Sequence, residues 1–254
     1  MSDGRVVLVT GAAYGIGRGI ALHFASRGDS ILLADVNIER GTLLEAAIRE
    51  DGGNAIFVHT DVRDESAVQK AIDRAVCEWG KLDVLCNDAG VETYRRADEL
   101  TLQDWNEMME TNLRGAFFCS KYAFPFLQKT KGCIVNISSV QGLACERHGS
   151  VYAATKAGLL ALTRGMAIDF APFGVRVNAI CPGAIHSGMM EAFLAKESDP
   201  DAIIASMSKR IPLGFIGRPE HIAGVAYFLA SPDAAYITGT WIGADGGLLA
   251  RLAL

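Results

Sequence analysis

An α/β protein built on one parallel sheet, with helices covering both faces, is the fold class this sequence predicts. Three observations predict it. Short β-branched runs alternate with longer amphipathic stretches along all 254 residues, the rhythm of repeated strand–helix–strand units. The strand runs are continuously apolar rather than alternating, which is how strands buried on both faces read. A glycine-rich turn follows the first strand and opens the first helix, a junction suited to binding phosphate groups.

The elements follow in order. "RVVLVT" (5–10) is a buried strand and "GIGRGIALHFASRG" (15–28) a helix ended by Gly28. "SILLAD" (30–35) is a second strand, followed by a helix over 38–50, the strand "AIFVHT" (55–60) and a helix over 64–79. "LDVLCNDAG" (82–90) is a strand running into a loop, ahead of a long helix over 102–128. The strand "GCIVNISS" (132–139), a helix over 149–171 and the strand "VRVNAICPG" (175–183) complete the pattern. No linker, repeat or low-complexity segment interrupts it, so residues 1–254 read as a single domain. The rhythm breaks once, between Pro182 and Ile211, in a Met- and Phe-rich segment without a strand. That segment starts at the C-terminal end of a strand, where ligands bind in open α/β sheets, so it is read as a substrate lid at about 184–211.

Composition narrows the function classes. Half the residues are hydrophobic and 21% are charged, enough for a large core, and the net charge of −5 offers no basic footprint for nucleic acid. No apolar run reaches eighteen residues and the start lacks a signal-peptide pattern, so no membrane partner is expected. Cys77, Cys86, Cys119, Cys133, Cys145 and Cys181 form no C-x-x-C pair and sit mostly in apolar runs. They read as reduced thiols of a cytoplasmic protein, with no metal site.

"TGAAYGIGRGI" (10–20) supplies Gly11, Gly15 and Gly17 for a tight turn, close backbone approach and close helix–strand packing. The helix N-terminus behind them offers N–H groups and positive potential to a pyrophosphate. Asp35 ends the second strand, where an acid accepts hydrogen bonds from the adenosine ribose and repels a 2′-phosphate. No arginine or lysine stands at Tyr14, Val36 or Asn37 to hold that phosphate. The expected cofactor is therefore NAD rather than NADP. A second feature is "SVYAATKAGLLAL" (150–162), where Tyr152 and Lys156 lie four apart on one helix face. By itself this pair fits a packed ring beside a snorkelling lysine as well as it fits chemistry.

With these pieces in place, the chain resembles the short-chain dehydrogenase/reductase family over essentially its whole length. The matching stretches are "TGAAYGIG", "DV" at 61–62, "NDAG" at 87–90, Asn112 in "METNLRGAF", "NISS" at 136–139, "YAATK" at 152–156, "VRVNAICPG" at 175–183 and the C-terminal "GRPEHIAGVAYFLASPDAAYITGTWIGADGG". The resemblance implies a Rossmann fold, a doubly wound seven-stranded parallel sheet with NAD across its C-terminal edge. It implies a catalytic tetrad of Asn112, Ser139, Tyr152 and Lys156, with Ser139 preferred to Ser138. It further implies cofactor contacts from Gly11, Tyr14, Gly15, Ile16 and Gly17, from Asp35, Asp61 and Val62, and from Asn87, Ala89 and Gly90. Tyr152, Lys156, Pro182, Gly183, Ile185 and Ser187 complete that set. In such a tetrad the tyrosine takes the hydroxyl proton while hydride leaves for the nicotinamide, and an ammonium beside it lowers a phenol pKa that is ordinarily near 10. The resemblance also gives Lys156 a contact to the nicotinamide ribose and has Asn112 hold a water that links Lys156 to solvent. The chain departs from the family pattern at Asp88, where an asparagine is usual, and at Ser187, which keeps a hydroxyl in place of a threonine.

The substrate is expected to be a small alcohol or ketone: a sugar, polyol or other cyclic alcohol. Its pocket draws on Ser139, Gln141, Leu143, the 144–149 loop with His148, Glu92–Tyr94, and His186, Met189, Met190 and Phe193 of the lid. Glu146, Arg147 and His148 face either a polyhydroxy or acidic substrate or simply solvent. Three other readings stay open: a 3-oxoacyl carrier-protein reductase, a catalytically retired NAD-binding scaffold or redox sensor, and a structural oligomer. The outer faces of the 102–128 and 149–171 helices (Ala153, Ala154, Ala157, Leu160, Ala161) and the tail "LLARLAL" (248–254) are too apolar for a monomer, and a homotetramer with two two-fold interfaces is expected.

Overall fold

Seven strands form one all-parallel sheet in the order β3-β2-β1-β4-β5-β6-β7. They are β1 (Val6–Thr10), β2 (Ser30–Asp35), β3 (Asn54–His59), β4 (Val84–Asn87), β5 (Cys133–Ile137), β6 (Arg176–Pro182) and β7 (Trp241–Ala244). The computed structural model describes residues 4–195 and 198–251. Each connection between parallel strands crosses a sheet face, so consecutive side chains of a strand meet different layers. Val7 and Val9 of β1 pack with Ile20 and Phe24 of α1 (Gly15–Ala25), Leu44 of α2 (Ile38–Glu50) and Ile222 of α9 (Pro219–Leu229). Val6 and Leu8 pack on the other face with Ile72 of α3 (Glu65–Trp79), Leu127 of α5 (Ala116–Thr130) and Met166 of α6 (Ser150–Phe170).

The sheet order reverses between β1 and β4, whose C-terminal ends therefore flank a crevice. Thr10 at the end of β1 ties the two together, its Oγ1 accepting from the Asp88 and Ala89 N–H groups at 3.1 Å each. Buried asparagines hold the neighbouring strands in step. Asn87 Nδ2 donates to Asn136 Oδ1 at 2.8 Å and Asn136 Nδ2 donates to Thr163 Oγ1 on α6 at 2.9 Å.

The structure differs from the sequence reading in three places. The 102–128 helix is divided into α4 (Leu102–Met109) and α5 by a wide π-type turn over Glu110–Gly115. The 184–211 segment, expected to hold no strand, carries two helices, α7 (Gly188–Leu194) and α8 (Pro200–Arg210). Helix α9 and strand β7 add a seventh position to the sheet that the strand-by-strand reading left unassigned. Leu160 does not belong to an outward face: it is buried against Ala179 and Cys181 of β6, because α6 turns that position toward the sheet. Ala154, Ala157 and Ala161 are exposed and Ala153 is half-buried. Residues 252–254 of the tail lie outside the described residues. No described helix is long and apolar enough to cross a membrane.

Asn136→Ala leaves the Asn87 amide and the Thr163 hydroxyl without their buried partner, at a cost of about 1–3 kcal/mol. A melting curve is expected to show a fall in Tm of at least about 2 °C.

Candidate active site

The turn after β1 builds the first half of the site. Gly11 and Gly15 have φ of 66° and 53°, which side-chain-bearing residues avoid. Gly17 is needed for its size: a Cβ there would stand 2.3 Å from the Gly11 carbonyl oxygen and 2.7 Å from Asp88 Oδ2. Tyr14, which precedes α1, gives it no side-chain cap, so the leading N–H groups and the positive helix end are presented at the turn. Asp35 is fixed beside them, Oδ2 accepting from the Ala13 N–H at 2.9 Å and Oδ1 from the Asn37 N–H at 2.8 Å. Asn87 Oδ1 is buried with no protein partner. A glycine cradle, an uncapped helix end and a fixed acid at the next strand fit the diphosphate and ribose of a dinucleotide.

The second half comes from β5 and α6. Tyr152 and Lys156 are both buried, one turn apart on α6. Lys156 Nζ donates to the Ile137 carbonyl oxygen at 2.9 Å and lies 5.6 Å from the Tyr152 ring centre. The Ser139 hydroxyl faces the Tyr152 phenol and favours its ionised form, and its oxygen accepts from the Gln141 N–H at 3.1 Å. Ser138 faces elsewhere and donates to the Lys156 carbonyl oxygen at 2.9 Å. Asn112 sits in the π-type turn: Oδ1 accepts from the Val91 N–H, while Nδ2 donates to the Val91 carbonyl and to Thr155 Oγ1. Its side chain thus ties the loop after β4 to α6, with one lone pair of Oδ1 left for a further donor. Gly90 closes the group, since a Cβ there would lie 3.4 Å from Asn112 Oδ1 and 3.6 Å from Lys156 Nζ.

Burial dominates the electrostatics. It pushes the Lys156 ammonium below its ordinary value, and the Asp88 and Glu92 carboxylates pull it partly back. It pushes the Tyr152 phenol upward, reinforced by Glu92, Tyr94 and Asp88. The sequence reading expected Lys156 to lower that phenol; desolvation and the surrounding acids push it the other way. Asp88, half-buried beneath the glycine turn beside Gly17, is pushed up to about 7, chiefly by desolvation against the attraction of Lys156.

The remaining expected residues fall into two groups. Ile16 packs on the core, Ala89 is bonded to Thr10, and Pro182 ends β6 beside Ala244. Gly183 N–H donates to the Ala244 carbonyl, and buried Ile185 bridges Gly217. Ser187 lies against Gly15, where an added Cβ would stand 3.2 Å from the serine Cβ. Val62 is buried under Gly115, and Asp61 is paired with Arg63 at 2.6 Å, which holds its carboxyl below the usual range. On the substrate side, Gln141 Nε2 donates to the Tyr94 hydroxyl at 2.6 Å and to Glu146 Oε2 at 3.3 Å. The Tyr94 ring stands 6.4 Å from that of Tyr152, and Gln141 Oε1 is buried without a partner.

Three substrate expectations are not gathered at this wall. His148 is exposed with φ of 68°, its carbonyl accepting from the Arg95 N–H. His186 is exposed and lines a cavity of about 540 Å³ with Tyr14, Arg18, Arg40, Ser187 and Glu191, on the glycine-turn side. Met190 is half-buried at the start of α7, its N–H 3.5 Å from Ser187 Oγ. The side chains of Met189 and Phe193 lie outside the described residues. The structure also adds contacts the sequence reading missed. Arg40 stacks 4.1 Å over the Tyr14 ring, the Tyr14 hydroxyl donates to Glu191 of α7, and Gly188 lies flat on that ring. Arg40 sits one turn into α2, and only that helix's phase points it back at the turn.

Comparison with known proteins agrees with this geometry. A family model described as enoyl-(acyl carrier protein) reductase matches residues 11–249. Meso-2,3-butanediol dehydrogenase of Serratia marcescens is 39% identical over 98% of this chain and 96% of its own. Cis-4-hydroxycyclohexanecarboxylate dehydrogenase of Sinomonas cyclohexanicum is 38% identical over 97% of each. Among solved structures, levodione reductase superposes with a TM-score of 0.93 at 31% identity, covering 98% of each chain. The ligand-free aldohexose dehydrogenase of Thermoplasma acidophilum superposes with a TM-score of 0.90 at 33% identity, covering 99% of this chain and 96% of that one. With its parallel seven-stranded sheet, its glycine turn and these relatives along nearly its full length, the chain belongs to the short-chain dehydrogenase/reductase family of oxidoreductases.

Proposed function

We propose that this oxidoreductase uses NAD(H) to interconvert a secondary alcohol and its ketone, the alcohol carrying further hydroxyl groups as a sugar, polyol or substituted cyclic alcohol does. The observation that carries the reading is the buried line Ser139–Tyr152–Lys156 opening beside the glycine turn. Ser139 holds the substrate oxygen and Tyr152 takes or returns its proton. Lys156 stabilises the phenolate by charge, and Asn112 keeps α6 and the Val91 loop in register. A bound nicotinamide would supply the hydride acceptor or donor. The glycine turn and α1 would hold its diphosphate, Asp35 the adenosine ribose, Tyr152 and Lys156 the other ribose, and the Pro182–Ser187 segment the remaining face.

NAD is favoured over NADP because the Asp35 carboxylate is locked in place by two backbone donors, while the nearby Arg40 is stacked on Tyr14. The hydroxyl-bearing substrate is favoured by the wall over Tyr152. Glu92, Glu146 and the orphaned Gln141 Oε1 are acceptors, so they suit a ligand with several donors and oppose an acidic one. The same acids, with Asp35, weigh against a 3-oxoacyl carrier-protein reductase. The intact Ser–Tyr–Lys line weighs against a retired scaffold. The chain reads as one domain with the 184–211 segment as its lid, in a reducing cytoplasmic compartment that suits its free thiols. It also reads as a homotetramer, since Phe117 of α5 and Ala154, Ala157, Ala161 and Ile168 of α6 are exposed together with Trp241 at the β7 edge.

A panel of sugars, diols, cyclic alcohols and hydroxy acids assayed for NADH formation is expected to give turnover with a polyhydroxy or cyclic alcohol, and a kcat/KM with NAD well above that with NADP. Tyr152→Phe keeps the ring and removes the titrating hydroxyl, so kcat is expected to fall at least about 100-fold with NADH binding retained. Turnover within a few-fold of wild type in that variant would refute the catalytic assignment. Light scattering at micromolar concentration is expected to give about four times the 27.1 kDa chain mass; a single chain mass would contradict the tetramer.

A further inference from the structure

One half-buried acid has no part in the chemistry above. Asp88 follows β4 in the crevice between β1 and β4, and its Oδ2 lies against Gly17 in the first turn of α1. The contact is close enough that a Cβ on Gly17 would stand 2.7 Å from that oxygen. Where the sequence resembles its family, a neutral asparagine is usual at this position; here it is a carboxyl group. The positive end of α1 therefore serves an acid from beneath, while the glycine turn presents the same helix end for a diphosphate from above. Two anions sharing one helix terminus in a partly desolvated setting repel one another.

The groups facing Asp88 decide where that repulsion goes. From α6, Lys156 attracts the carboxylate, while the Tyr152 phenol is itself raised by it. From the end of β2, Asp35 repels it. From its own strand, the buried Cys86 thiol is held protonated and adds no charge. Lys156 is the one cation in this set, and its Nζ is already bonded to the Ile137 carbonyl. A diphosphate placed at α1 adds negative charge on the Asp35 side of the balance and nothing on the Lys156 side. The relief open to the site is for Asp88 to become neutral.

We propose that Asp88 is a proton-binding site coupled to the cofactor: the carboxylate takes up a proton from solvent when the dinucleotide binds and gives it back on release. No other atom is exchanged; one O–H bond forms at the Asp88 carboxylate as the diphosphate docks. The protonated group keeps one oxygen free of the proton to face Gly17, so the turn keeps its shape. The coupling makes cofactor affinity pH-dependent in a way that a neutral asparagine does not. The sign follows from linkage: a group that binds protons more tightly in the complex makes the complex tighter as pH falls. Asp88 also titrates near neutrality in the free protein, which puts the effect in the working pH range. The effect is largest with NADH, which lacks the positive charge of the oxidised ring. This inference rests on the reading that a nicotinamide dinucleotide seats at the glycine turn.

Isothermal titration calorimetry of the intact protein with NADH at pH 7.5, in phosphate and in Tris, reads proton uptake directly from the difference in apparent enthalpy. A tenfold rise in proton affinity on binding, for a group near half-titration, corresponds to roughly half a proton per site. Wild type is expected to take up about that amount, and Asp88→Asn less than about a tenth of a proton. The wild-type Kd is expected to tighten several-fold between pH 8.5 and 6.5, with a flatter profile in the variant. NADH binding without proton uptake by wild type, or equal uptake by wild type and Asp88→Asn, would overturn the proposal while leaving the cofactor reading intact. No binding of NADH at any pH would overturn the cofactor reading and this inference with it.

Discussion

The rest of this molecule is arranged around a lysine ammonium held out of water. Lys156 is 4% exposed, and a cation so placed costs several kcal/mol unless charge and hydrogen bonds compensate it. The compensation is visible in two elements. The carbonyl of Ile137 at the end of β5 accepts from Nζ, and Asp88 and Glu92 face it from the loop after β4. Buried, perturbed charges of this kind cluster at functional sites, in keeping with the proposed stabilisation of a phenolate.

The same constraint explains why the site lies where the strand order reverses. At the β1–β4 crevice a helix N-terminus, a loop that carries acids and the open end of β5 come together. The glycine turn brings α1 close to residues 88–90, and the π-type turn at Asn112 draws the Val91 loop to α6. Each device spends local regularity to bring the glycine turn and the Tyr152–Lys156 pair toward the same crevice. The first turn of α7 then touches the glycine turn through Tyr14, Gly188 and Glu191, which ties the 184–211 segment to that turn.

Much of this was legible in the sequence because it depends on local rules. Apolar runs such as "SILLAD" and the periodicity of 38–50 give elements that match the structure at both ends. The glycine spacing and the Tyr–Lys interval mark the two halves of the site, since each is set within one turn of chain. What could not be read depends on distant partners. The break at 110–115 is stabilised by Val91 and Thr155, far away in sequence. Leu160 faces inward because of β6, and Arg40 reaches Tyr14 because of how α2 crosses the sheet edge. The raised phenol of Tyr152 follows from burial and from acids on another loop, neither of which a helix motif records.

On the proposed NAD-dependent reading, burial makes Tyr152 a poor base in the free protein, and a positive nicotinamide beside Lys156 would make it a competent one. The ring-carbon chemical shift of Tyr152, followed against pH by NMR with labelled tyrosine and assigned through Tyr152→Phe, tests this directly. The free protein is expected to keep the phenol protonated past its ordinary titration near pH 10, and saturation with NAD is expected to move the midpoint down by at least about two pH units. An identical midpoint with and without NAD, or a free-protein midpoint already near neutrality, would contradict the account.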